Sequence, residues 1–365
     1  MTRKLRLLVV VAVVVALAAS GATSARADGS RTVTVMTRNL YFGSDLGPVA
    51  ALVSDPLATP TDLLTAVANA YTSAQATNFP ARAGAWADEI ALTRPDLVGL
   101  QEAVQWRTGP AFAGNASTVA ANFVQLLLAA LAARGQHYQL VTEDTGYDLE
   151  APGLFPAGLM DVRLTQHDAI LARTDDGLTL THPQSGQFAA MLTLSGNFGS
   201  FPLPWAWASV DVTKAGRTFR FVTTHLDPDV GPYQLAQAQE LLTGPLDTTL
   251  PVVWSGDFNS DADAPAITGV VPETSTYQNA LAAGFTDTWT ATRSDPGYTC
   301  CEEADLLNPQ PTLDTRIDFV LTRGAITPLL DVLVGNTALE RRLLGRWPSD
   351  HAGVVAVLQL GAAKG

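Results

Sequence analysis

Cysteine is nearly absent from this sequence, which has only Cys300 and its neighbour Cys301. Adjacent cysteines close only a small, strained ring and cannot tie distant loops together, so the chain is not a disulfide-stapled scaffold. The sequence leaves open whether the two form a vicinal disulfide, remain free thiols or pair between molecules. Because no histidine stands near them in the sequence, we predict no metal site at this position.

Basic residues are also scarce: 22 Lys and Arg stand against 35 Asp and Glu, and the formal net charge is −13. Residues 1–27 contain four basic residues and no acidic one, so their removal changes the formal charge to −17. This balance argues against broad electrostatic binding to nucleic acids or anionic membranes, which requires surfaces rich in Lys and Arg. It does not exclude cleavage at a single site where a metal ion neutralises the charge.

A long hydrophobic run occurs only at residues 7–19, directly after the basic residues Arg3, Lys4 and Arg6. Together with the small-x-small pattern Ala25-Arg26-Ala27, this run predicts a secretory signal peptide over residues 1–27. The alternative is a retained membrane anchor, but the run is shorter than the ~20 residues that a transmembrane helix needs. We therefore predict a secreted mature protein that begins at Asp28.

Repeats and flexible linkers are missing from the remainder, so residues 28–365 are predicted to form one domain, and we expect a monomer. An apolar fraction of 47% is enough for a sizeable core. Alternating apolar runs and helical periodicity predict a layered arrangement of strands and helices. The predicted strands are 32–40, 96–101, 138–143, 168–173, 177–181, 218–224, 252–254, 316–322 and 354–360, and the predicted helices are 61–76, 81–93, 117–134, 232–242 and 280–283, with a loop over 144–158.

The stretch 250–263, LPVVWSGDFNSDAD, predicts a buried strand with a polar tip. A continuous β-branched run is typical of a strand covered on both faces, and ligand sites in layered proteins gather where such strands end. Gly256 would let the backbone approach a ligand closely, and Asp257 and Asn259 would point to the same side. The ordinary alternative is an Asp/Asn turn after a structural strand.

Other predicted strands end in polar residues as well, which weakens that alternative. Two of the five histidines, His225 and His351, stand at strand ends beside acidic residues. The full set of polar strand tips is Asn39, Glu102, His225, Asp257, Asn259, Asp318, Asp350 and His351. Trp205 and Trp207 share one face of a further predicted strand; core packing is the default, and an exposed aromatic loop that contacts lipid or a substrate ring is the alternative.

These motifs, in this order, resemble the endonuclease/exonuclease/phosphatase superfamily, which includes deoxyribonuclease I, abasic-site endonucleases, inositol-polyphosphate 5-phosphatases and neutral sphingomyelinases. The resemblance covers nearly all of the mature chain. It rests on TRNL with Asn39, LVGLQE with Glu102, DAILAR after Asp168, TTHLD with His225, SGDFN with Asp257 and Asn259, RIDFVL with Asp318, and SDH with Asp350 and His351. The separation of about 60 residues between Asn39 and Glu102 exceeds the usual one, and the Cys-Cys loop fits no particular substrate.

The resemblance implies an α+β sandwich of two face-to-face mixed sheets flanked by helices, the deoxyribonuclease I-like four-layer fold, with the site where the strand tips meet. It also implies Mg²⁺ or Mn²⁺, which oxygen ligands bind, with Glu102 as the carboxylate ligand and Asn39 and Asp350 completing or orienting the shell. His351 is the expected general base or phosphate-contacting imidazolium, held by Asp318. His225 and Asn259 would contact the phosphate, and Asp257 would orient water or protonate the leaving group.

Arg163 and Asp168 are further candidates for substrate binding, with a surface-loop role as the alternative for Arg163. The expected function is a metal-dependent phosphoesterase acting on a nucleic acid, a phospholipid or a small phosphodiester. A nuclease or general phosphodiesterase is favoured over a sphingomyelinase-like lipid hydrolase, and a sugar or inositol phosphatase follows. The alternative from another class is a catalytically silent binding module on the same scaffold.

Overall fold

The computed structural model describes residues 31–263, 271 and 273–361. The predicted signal peptide lies outside the described residues. The strands are β1 (Thr32–Asn39), β2 (Leu97–Gln101), β3 (Gln105–Pro110), β4 (Thr118–Asn122), β5 (Tyr138–Glu143), β6 (Asp148–Phe155), β7 (Gly158–Thr165), β8 (Ala169–Arg173), β9 (Thr179–Gln187), β10 (Leu192–Gly196), β11 (Gly199–Leu203), β12 (Ala206–Lys214), β13 (Arg217–His225), β14 (Val252–Asp257), β15 (Thr286–Asp287), β16 (Asp318–Arg323), β17 (Ile326–Val334) and β18 (Gly353–Leu360).

The helices are α1 (Gly47–Ser54), α2 (Pro60–Ala76), α3 (Phe79–Thr93), α4 (Phe123–Ala132), α5 (Gly231–Thr243), α6 (Thr276–Ala282), α7 (Thr288–Thr292) and α8 (Ala338–Leu344). Three of them lie between β1 and β2, which accounts for the long separation of Asn39 from Glu102. Among the helices in the described part of the chain, none is long and apolar enough to cross a lipid bilayer.

Two six-stranded mixed sheets form the centre of the fold. Their strand orders are β17-β18-β1-β2-β8-β5 and β15-β16-β14-β13-β12-β9. β1 pairs with β2 in parallel and β13 pairs with β14 in parallel, while the neighbouring pairs are antiparallel. Two smaller sheets, β4-β3-β7-β6 and β10-β11, extend from this sandwich. The predicted α+β sandwich is confirmed.

The alternation of side chains along the central strands builds two cores. Val35, Ile170, Phe221 and Val253 fill the space between the sheets. Residues of opposite parity pack outward against the helices, as Trp254 does in the cluster that includes Leu241 of α5. Each such side chain contributes roughly 1.5–3 kcal/mol when it is fully buried, so the two cores hold the sheets and helices in a fixed relation.

Small residues bring the two sheets close together near the carboxyl ends of their parallel strands. A Cβ at Gly99 on β2 would lie 2.5 Å from the Thr223 hydroxyl on β13. At Gly256 the backbone φ is 144°, and a Cβ would lie 2.1 Å from the carbonyl oxygen of Thr224. Gly256 is therefore required for the pairing of β13 with β14 within one sheet, and the approach of a ligand to its backbone stays a prediction.

Two predicted segments differ from the structure. The helix predicted over 117–134 is a strand, β4, followed by α4; the side chain of Asn122 accepts a hydrogen bond from the Gln125 amide and begins the helix there. The loop predicted over 144–158 contains β6, which pairs with β7. Pro152 is compatible with this strand because β6 lies at the edge of its sheet, where a missing N–H is tolerated.

Candidate active site

Side chains that face the space between the sheets change from apolar to polar toward one end of the sandwich. Along β14 the inward residues are Val253, Ser255 and Asp257, and along β13 Phe221 is followed by Thr223 and His225. β1 ends at Asn39, and β16 begins at Asp318 in register with Asp257. The same alternation that builds the core thus delivers polar groups to one edge of both sheets.

Asn39 lies at the centre of this polar edge and joins the two sheets. Its Nδ2 donates to Glu102 Oε1 and to Asp257 Oδ2, both at 3.1 Å. Its Oδ1 accepts from the Tyr41 amide at 2.8 Å. Because the Tyr41 N–H can only donate, the amide orientation of Asn39 is fixed, and its NH₂ group faces the two carboxylates.

Glu102 is buried and held at both oxygens. Besides the bond from Asn39, its Oε2 accepts from the Phe42 amide at 2.8 Å. Burial and the nearby charge of Asp350 raise the pKa of Glu102 to about 8. Tyr41, Glu102 and Asn259 all have positive φ angles, of 57°, 51° and 47°. Left-handed backbone at non-glycine residues is uncommon, and its accumulation at three strand tips indicates a functional site.

His351 and Asp318 form a buried pair, with His351 Nδ1 at 2.8 Å from Asp318 Oδ2. Burial disfavours the imidazolium, but Asp318, Asp350 and Asp257 outweigh it and raise the pKa of His351 well above its usual range. Asp257 Oδ2 lies 3.8 Å from His351 Nδ1 and 3.6 Å from His225 Nε2. Burial and the charge of Asp318 raise the pKa of Asp257 to about 7.

His225 lies under an aromatic cover. The ring of Trp205 is 4.2 Å from the ring of His225, and Tyr147 packs edge-on against Trp205 at 5.5 Å. Burial, followed by the charge of His351, lowers the pKa of His225 to about 3, so this imidazole is neutral at physiological pH. Trp205 is 7% exposed, which excludes the predicted alternative of an exposed aromatic loop at this residue; Trp207 is half-buried.

Asn259 and Asp350 complete the set of polar strand tips, and both are partly exposed. Asn259 donates from Nδ2 to the Leu226 carbonyl and from its amide to Asp257 Oδ1, both at 2.9 Å. Asp350 Oδ1 lies 4.0 Å from His351 Nε2. Burial raises the pKa of Asp350 as well. The structure therefore brings together all eight polar strand tips.

Arg163 and Asp168 occupy different positions. Arg163 on β7 pairs with Asp148 and donates to Asn115 Oδ1, and within the described residues it contacts none of the strand tips. Asp168 is buried, with the Gln166 amide on its Oδ1 at 2.9 Å. Burial and Asp144, followed by smaller contributions from Glu102 and Asp257, raise the pKa of Asp168 well above its usual range. Asp168 therefore borders the cluster, whereas Arg163 does not.

Two buried arginines, which the sequence did not single out, hold the site together. Arg82 donates to the carbonyls of Leu40, Tyr41 and Pro348. Arg38 pairs with Glu89 at 2.9 Å and also donates to the His351 carbonyl. These contacts tie the segment after β1 to the segment that carries Asp350 and His351. A buried arginine has no pattern of its own in a sequence, so its spacing could not have revealed this role.

The residues present fit a divalent cation. Four carboxylates, those of the buried Glu102, Asp257 and Asp318 and of the partly exposed Asp350, lie around one histidine, so acidic groups outnumber basic ones in the cluster. Burial and the neighbouring carboxylates raise the pKa of Glu102 to about 8 and that of Asp257 to about 7, so a bound cation would favour the charged form of both groups. Asp318 Oδ1 is buried without a partner among the described residues. Carboxylate oxygens are the ligands that Mg²⁺ and Mn²⁺ prefer.

Two groupings within this cluster could hold such a cation. Ligand atoms of Asp257, Asp318 and His351 lie within 4.8 Å of one another. In that group, however, Asp318 already binds His351 Nδ1. Glu102 with Asp350 leaves this pair intact, and Asn39, whose NH₂ group faces Glu102, orients that carboxylate. Glu102 and Asp350, whose charges interact, stay the predicted metal ligands.

Cys300 was not predicted to belong to this site. Its Sγ lies 3.6 Å from His351 Nε2, and the structure joins Cys300 and Cys301 in a disulfide. The prediction of no metal site at the cysteines rested on the absence of a nearby histidine in the sequence, and that premise fails in the fold, where His351 lies next to Cys300 across 51 positions.

Residues 39–351 match the Endonuclease/Exonuclease/phosphatase family. Among curated proteins, none matches the sequence.

Three solved structures illustrate the shared fold. An endonuclease/exonuclease/phosphatase from Beutenbergia cavernae has a TM-score of 0.55 at 21% identity, over 91% of this chain and 72% of that chain. The mannosyl-6-phosphatase of Bacteroides thetaiotaomicron has a TM-score of 0.54 at 17% identity, over 89% of this chain and 99% of that chain. D. rerio TDP2 complexed with single strand DNA product has a TM-score of 0.50 at 17% identity, over 90% of this chain and 98% of that chain.

At these sequence identities the similarity to solved structures establishes only the fold. The match of residues 39–351 to the family model establishes the family. The chain belongs to the endonuclease/exonuclease/phosphatase family, whose members are enzymes that hydrolyse phosphoester bonds.

Proposed function

We propose that the protein is a secreted, divalent-metal-dependent phosphodiesterase, either a nuclease or a general phosphodiesterase. One observation carries this proposal: Asn39 bonds both Glu102 and Asp257 at 3.1 Å, beside the buried His351–Asp318 pair. This arrangement places anionic ligands on one side and an imidazole on the other. Such a division suits a substrate whose phosphate must be neutralised while water attacks it.

Glu102 and Asp350 would hold Mg²⁺ or Mn²⁺, and Asn39 would keep Glu102 in place through its fixed NH₂ group. When bound, the cation would stabilise negative charge on the phosphate and the leaving oxygen. Glu102 is well prepared for this role because two hydrogen bonds fix its oxygens before any ligand arrives. Its burial keeps competing water away.

His351 would contact the phosphate through Nε2, since Asp318 occupies Nδ1. Asp318 fixes the ring orientation and stabilises the imidazolium, as carboxylates do in other hydrolytic relays. This geometry favours donation to a non-bridging oxygen over the alternative role of general base. Cys300 Sγ lies 3.6 Å from the same nitrogen.

Asp257 would orient the attacking water or protonate the leaving oxygen. It is the carboxylate that reaches both histidines, at 3.6 and 3.8 Å, and it also binds Asn39. His225 and Asn259 would donate to phosphate oxygens; Asn259 is partly exposed at the rim. Asp168, buried behind the cluster, and Arg163, engaged with Asp148, remain predictions as substrate contacts.

Among the substrate classes, the burial of the aromatic residues supports a nucleic acid or small phosphodiester over a phospholipid. Of the two aromatic residues that would have supported lipid binding, Trp205 packs against the ring of His225 instead of facing solvent, and Trp207 is half-buried. The acidic balance of the chain also disfavours extended contact with a polynucleotide. We therefore expect the highest rates on short or small phosphodiesters.

The test is a substrate panel with purified protein, assayed with Mg²⁺ and with EDTA. The panel contains plasmid DNA, RNA, sphingomyelin, a sugar phosphate and a bis-aryl phosphate. We expect hydrolysis of the bis-aryl phosphate and of a nucleic acid, which EDTA abolishes. Hydrolysis of sphingomyelin alone would replace the assignment as a nuclease or general phosphodiesterase with that of a sphingomyelinase-like lipid hydrolase. Hydrolysis of the sugar phosphate alone would replace it with that of a sugar phosphatase. The absence of metal-dependent hydrolysis of any substrate would refute the enzyme proposal.

His351→Ala provides the matched variant, because it removes the imidazole while leaving the backbone contacts of the segment in place. We expect its turnover to fall to near background with an unchanged circular dichroism spectrum. His182→Ala, at an exposed histidine on β9, is the control and should keep its activity. Near-normal turnover of His351→Ala would remove the role of His351.

Secretion and the monomeric state are part of the same proposal. Expression in a secreting bacterial host should release a protein whose N-terminal sequence begins at Asp28. Light scattering of that product should give the mass of one chain. Retention of the product in the membrane fraction would favour the anchor that the sequence left as an alternative.

A further inference from the structure

The Cys300–Cys301 pair lies at the candidate active site but has no part in the proposed reaction. Cys300 is 2% exposed, whereas Cys301 is exposed to solvent. One sulfur therefore faces the buried cluster and the other can be reached from outside. A reductant can approach the disulfide through Cys301 without opening the fold.

Backbone hydrogen bonds hold Cys300 in place independently of the disulfide. Its amide donates to the Thr315 carbonyl at 3.0 Å, and the Thr315 amide donates back at 3.1 Å. On the other side Cys300 bridges to His351, where the Ala352 amide donates to the Thr299 carbonyl at 2.8 Å. Cys300 Sγ would therefore stay beside His351 after reduction.

The spacing of sulfur and nitrogen matches a tetrahedral metal site. Zn–S and Zn–N bonds of about 2.3 and 2.0–2.1 Å at a tetrahedral angle place the two ligand atoms roughly 3.6 Å apart. Cys300 Sγ lies 3.6 Å from His351 Nε2. The ligand atoms of Cys300, Cys301 and His351 all lie within 4.8 Å of one another.

The surroundings of His351 also resemble those of a metal-ligating histidine. Its Nδ1 faces Asp318 Oδ2 at 2.8 Å, so a neutral ring carries its proton there and leaves the Nε2 lone pair for a metal. Most histidine ligands have such a carboxylate or carbonyl partner on the opposite nitrogen, which fixes the tautomer.

We propose that the reduced thiols of Cys300 and Cys301, with His351 Nε2, form a binding site for a thiophilic divalent cation of the Zn²⁺ or Cd²⁺ class, distinct from the oxygen-ligand site. Soft thiolate ligands select such ions, whereas Mg²⁺ prefers oxygen. The fourth position would be taken by water. Binding of the cation releases the two thiol protons and the proton that the His351 imidazolium carries on Nε2.

The disulfide has to be reduced before this site exists. With a phosphine as reductant, the S–S bond breaks and the phosphine gives up two electrons. It takes the oxygen of one water and becomes its oxide, while the two protons of that water go to the two sulfurs. The oxidised protein lacks thiolates and should not bind the cation.

Occupation of this site would inhibit hydrolysis, because the cation takes the nitrogen that is expected to contact the phosphate. This consequence rests on the proposed function, whereas the binding itself does not. The redox state of the pair would thus decide whether thiophilic metals inhibit the enzyme.

The experiment uses the purified protein with Cd²⁺ as the probe, before and after phosphine reduction and removal of the reagent. Binding is followed by the sulfur-to-cadmium charge-transfer absorption and by equilibrium dialysis. We expect one equivalent of Cd²⁺ with thiolate absorption in the reduced protein and no such absorption in the untreated protein. Cys301→Ser and His351→Gln should each weaken binding by more than about 10-fold. His182→Ala, the surface-histidine control, should bind like the wild type.

Two results would overturn the proposal. One is reduced protein that develops no thiolate–cadmium absorption while circular dichroism shows that it is folded. The other is a His351→Gln variant that binds Cd²⁺ as tightly as the wild type, which would show that the two thiols bind the cation without His351. Cd²⁺ should also inhibit hydrolysis only after reduction, with each variant compared with its own metal-free rate. If no substrate is hydrolysed, the proposed function fails while the absorption measurement still decides the metal site.

Discussion

Asn39→Asp is the most informative substitution at the site, because it keeps the shape of the side chain and changes one group. The Nδ2 of Asn39 donates to Glu102 and Asp257, whereas its Oδ1 accepts from the Tyr41 amide. In the variant the Tyr41 contact survives. The two donations to carboxylates are replaced by contacts between carboxylate oxygens in a buried space.

The expected loss follows from those two bonds. A hydrogen bond to a charged group contributes about 1.5–3 kcal/mol, so Asn39→Asp should lower the free energy of unfolding by about 3 kcal/mol or more near pH 8 without metal. The loss should shrink at lower pH, because protonated Glu102 or Asp257 can donate to the new carboxylate. A divalent cation would offset the added charge, so Mg²⁺ should stabilise the variant more than the wild type.

The assay is denaturant unfolding of both proteins at several pH values, in EDTA and in excess Mg²⁺. Asn197→Asp is the control, since Asn197 is exposed and its Nδ2 makes one bond, to the Pro56 carbonyl at 2.9 Å. That control should change stability by less than about 0.5 kcal/mol. If Asn39→Asp were as stable as the wild type in EDTA near pH 8, the bridging role of Asn39 would be refuted.

Two further substitutions test the framework around the site. Burial raises the pKa of Asp331 from 3.8 to about 6, so the native state favours its protonated form, and stability is lost as the pH rises through this range. Asp331→Asn can keep its contacts with the Thr288 and Thr292 hydroxyls. The variant should raise the free energy of unfolding by on the order of 2 kcal/mol near pH 8 and leave it unchanged near pH 3. Equal effects at both pH values would contradict this account. Arg82→Lys cannot reproduce the planar guanidinium that donates to three carbonyls. It should therefore lower the free energy of unfolding by roughly 3–5 kcal/mol, measured by thermal unfolding, and lower turnover as well. A loss of stability below about 1 kcal/mol would show that the guanidinium contacts are dispensable.

Much of the fold was predictable because the strand that carries each motif is short, apolar and bounded by polar residues. β14 was visible in Val252 to Trp254, and its polar tip followed directly. The same holds for β1 and β13, where alternation places Asn39 and His225 at the ends. The order of these motifs was enough to indicate the family and to bring eight site residues together.

The small sheet β4-β3-β7-β6 could not be predicted in the same way. Its strand β6 contains Glu150, Pro152 and Gly153, which are typical of loops, and the strand forms because β7 offers a pairing edge. β4 precedes a strongly apolar helix, and the sequence prediction included both segments in one helix. Helix propensity does not show the boundary between them, which Asn122 sets by capping the helix. Long-range pairing overrides local preference in both segments.

The contacts around His351 could not be predicted from the sequence for a different reason. Cys300 and His351 are 51 positions apart and meet only because residues 299–302 lie between two other segments. Nothing in the motif of either residue indicates this contact. Likewise, Trp205 could be assigned to the core but not to the ring of His225, because the pairing of β12 with β13 decides which side chain covers it.

The measurement that tests the central claim most directly is the Mg²⁺ dependence of bis-aryl phosphate hydrolysis by the wild type and Glu102→Gln after removal of metal. The variant keeps the shape and the Phe42 contact but lacks the charge that would hold the cation. We predict saturable activation of the wild type by Mg²⁺. Glu102→Gln should need at least about 10-fold more Mg²⁺ or show no activation. Hydrolysis that proceeds equally in EDTA, or a variant that saturates at the same Mg²⁺ concentration, would contradict the assignment of this cluster as a metal-dependent phosphoesterase centre.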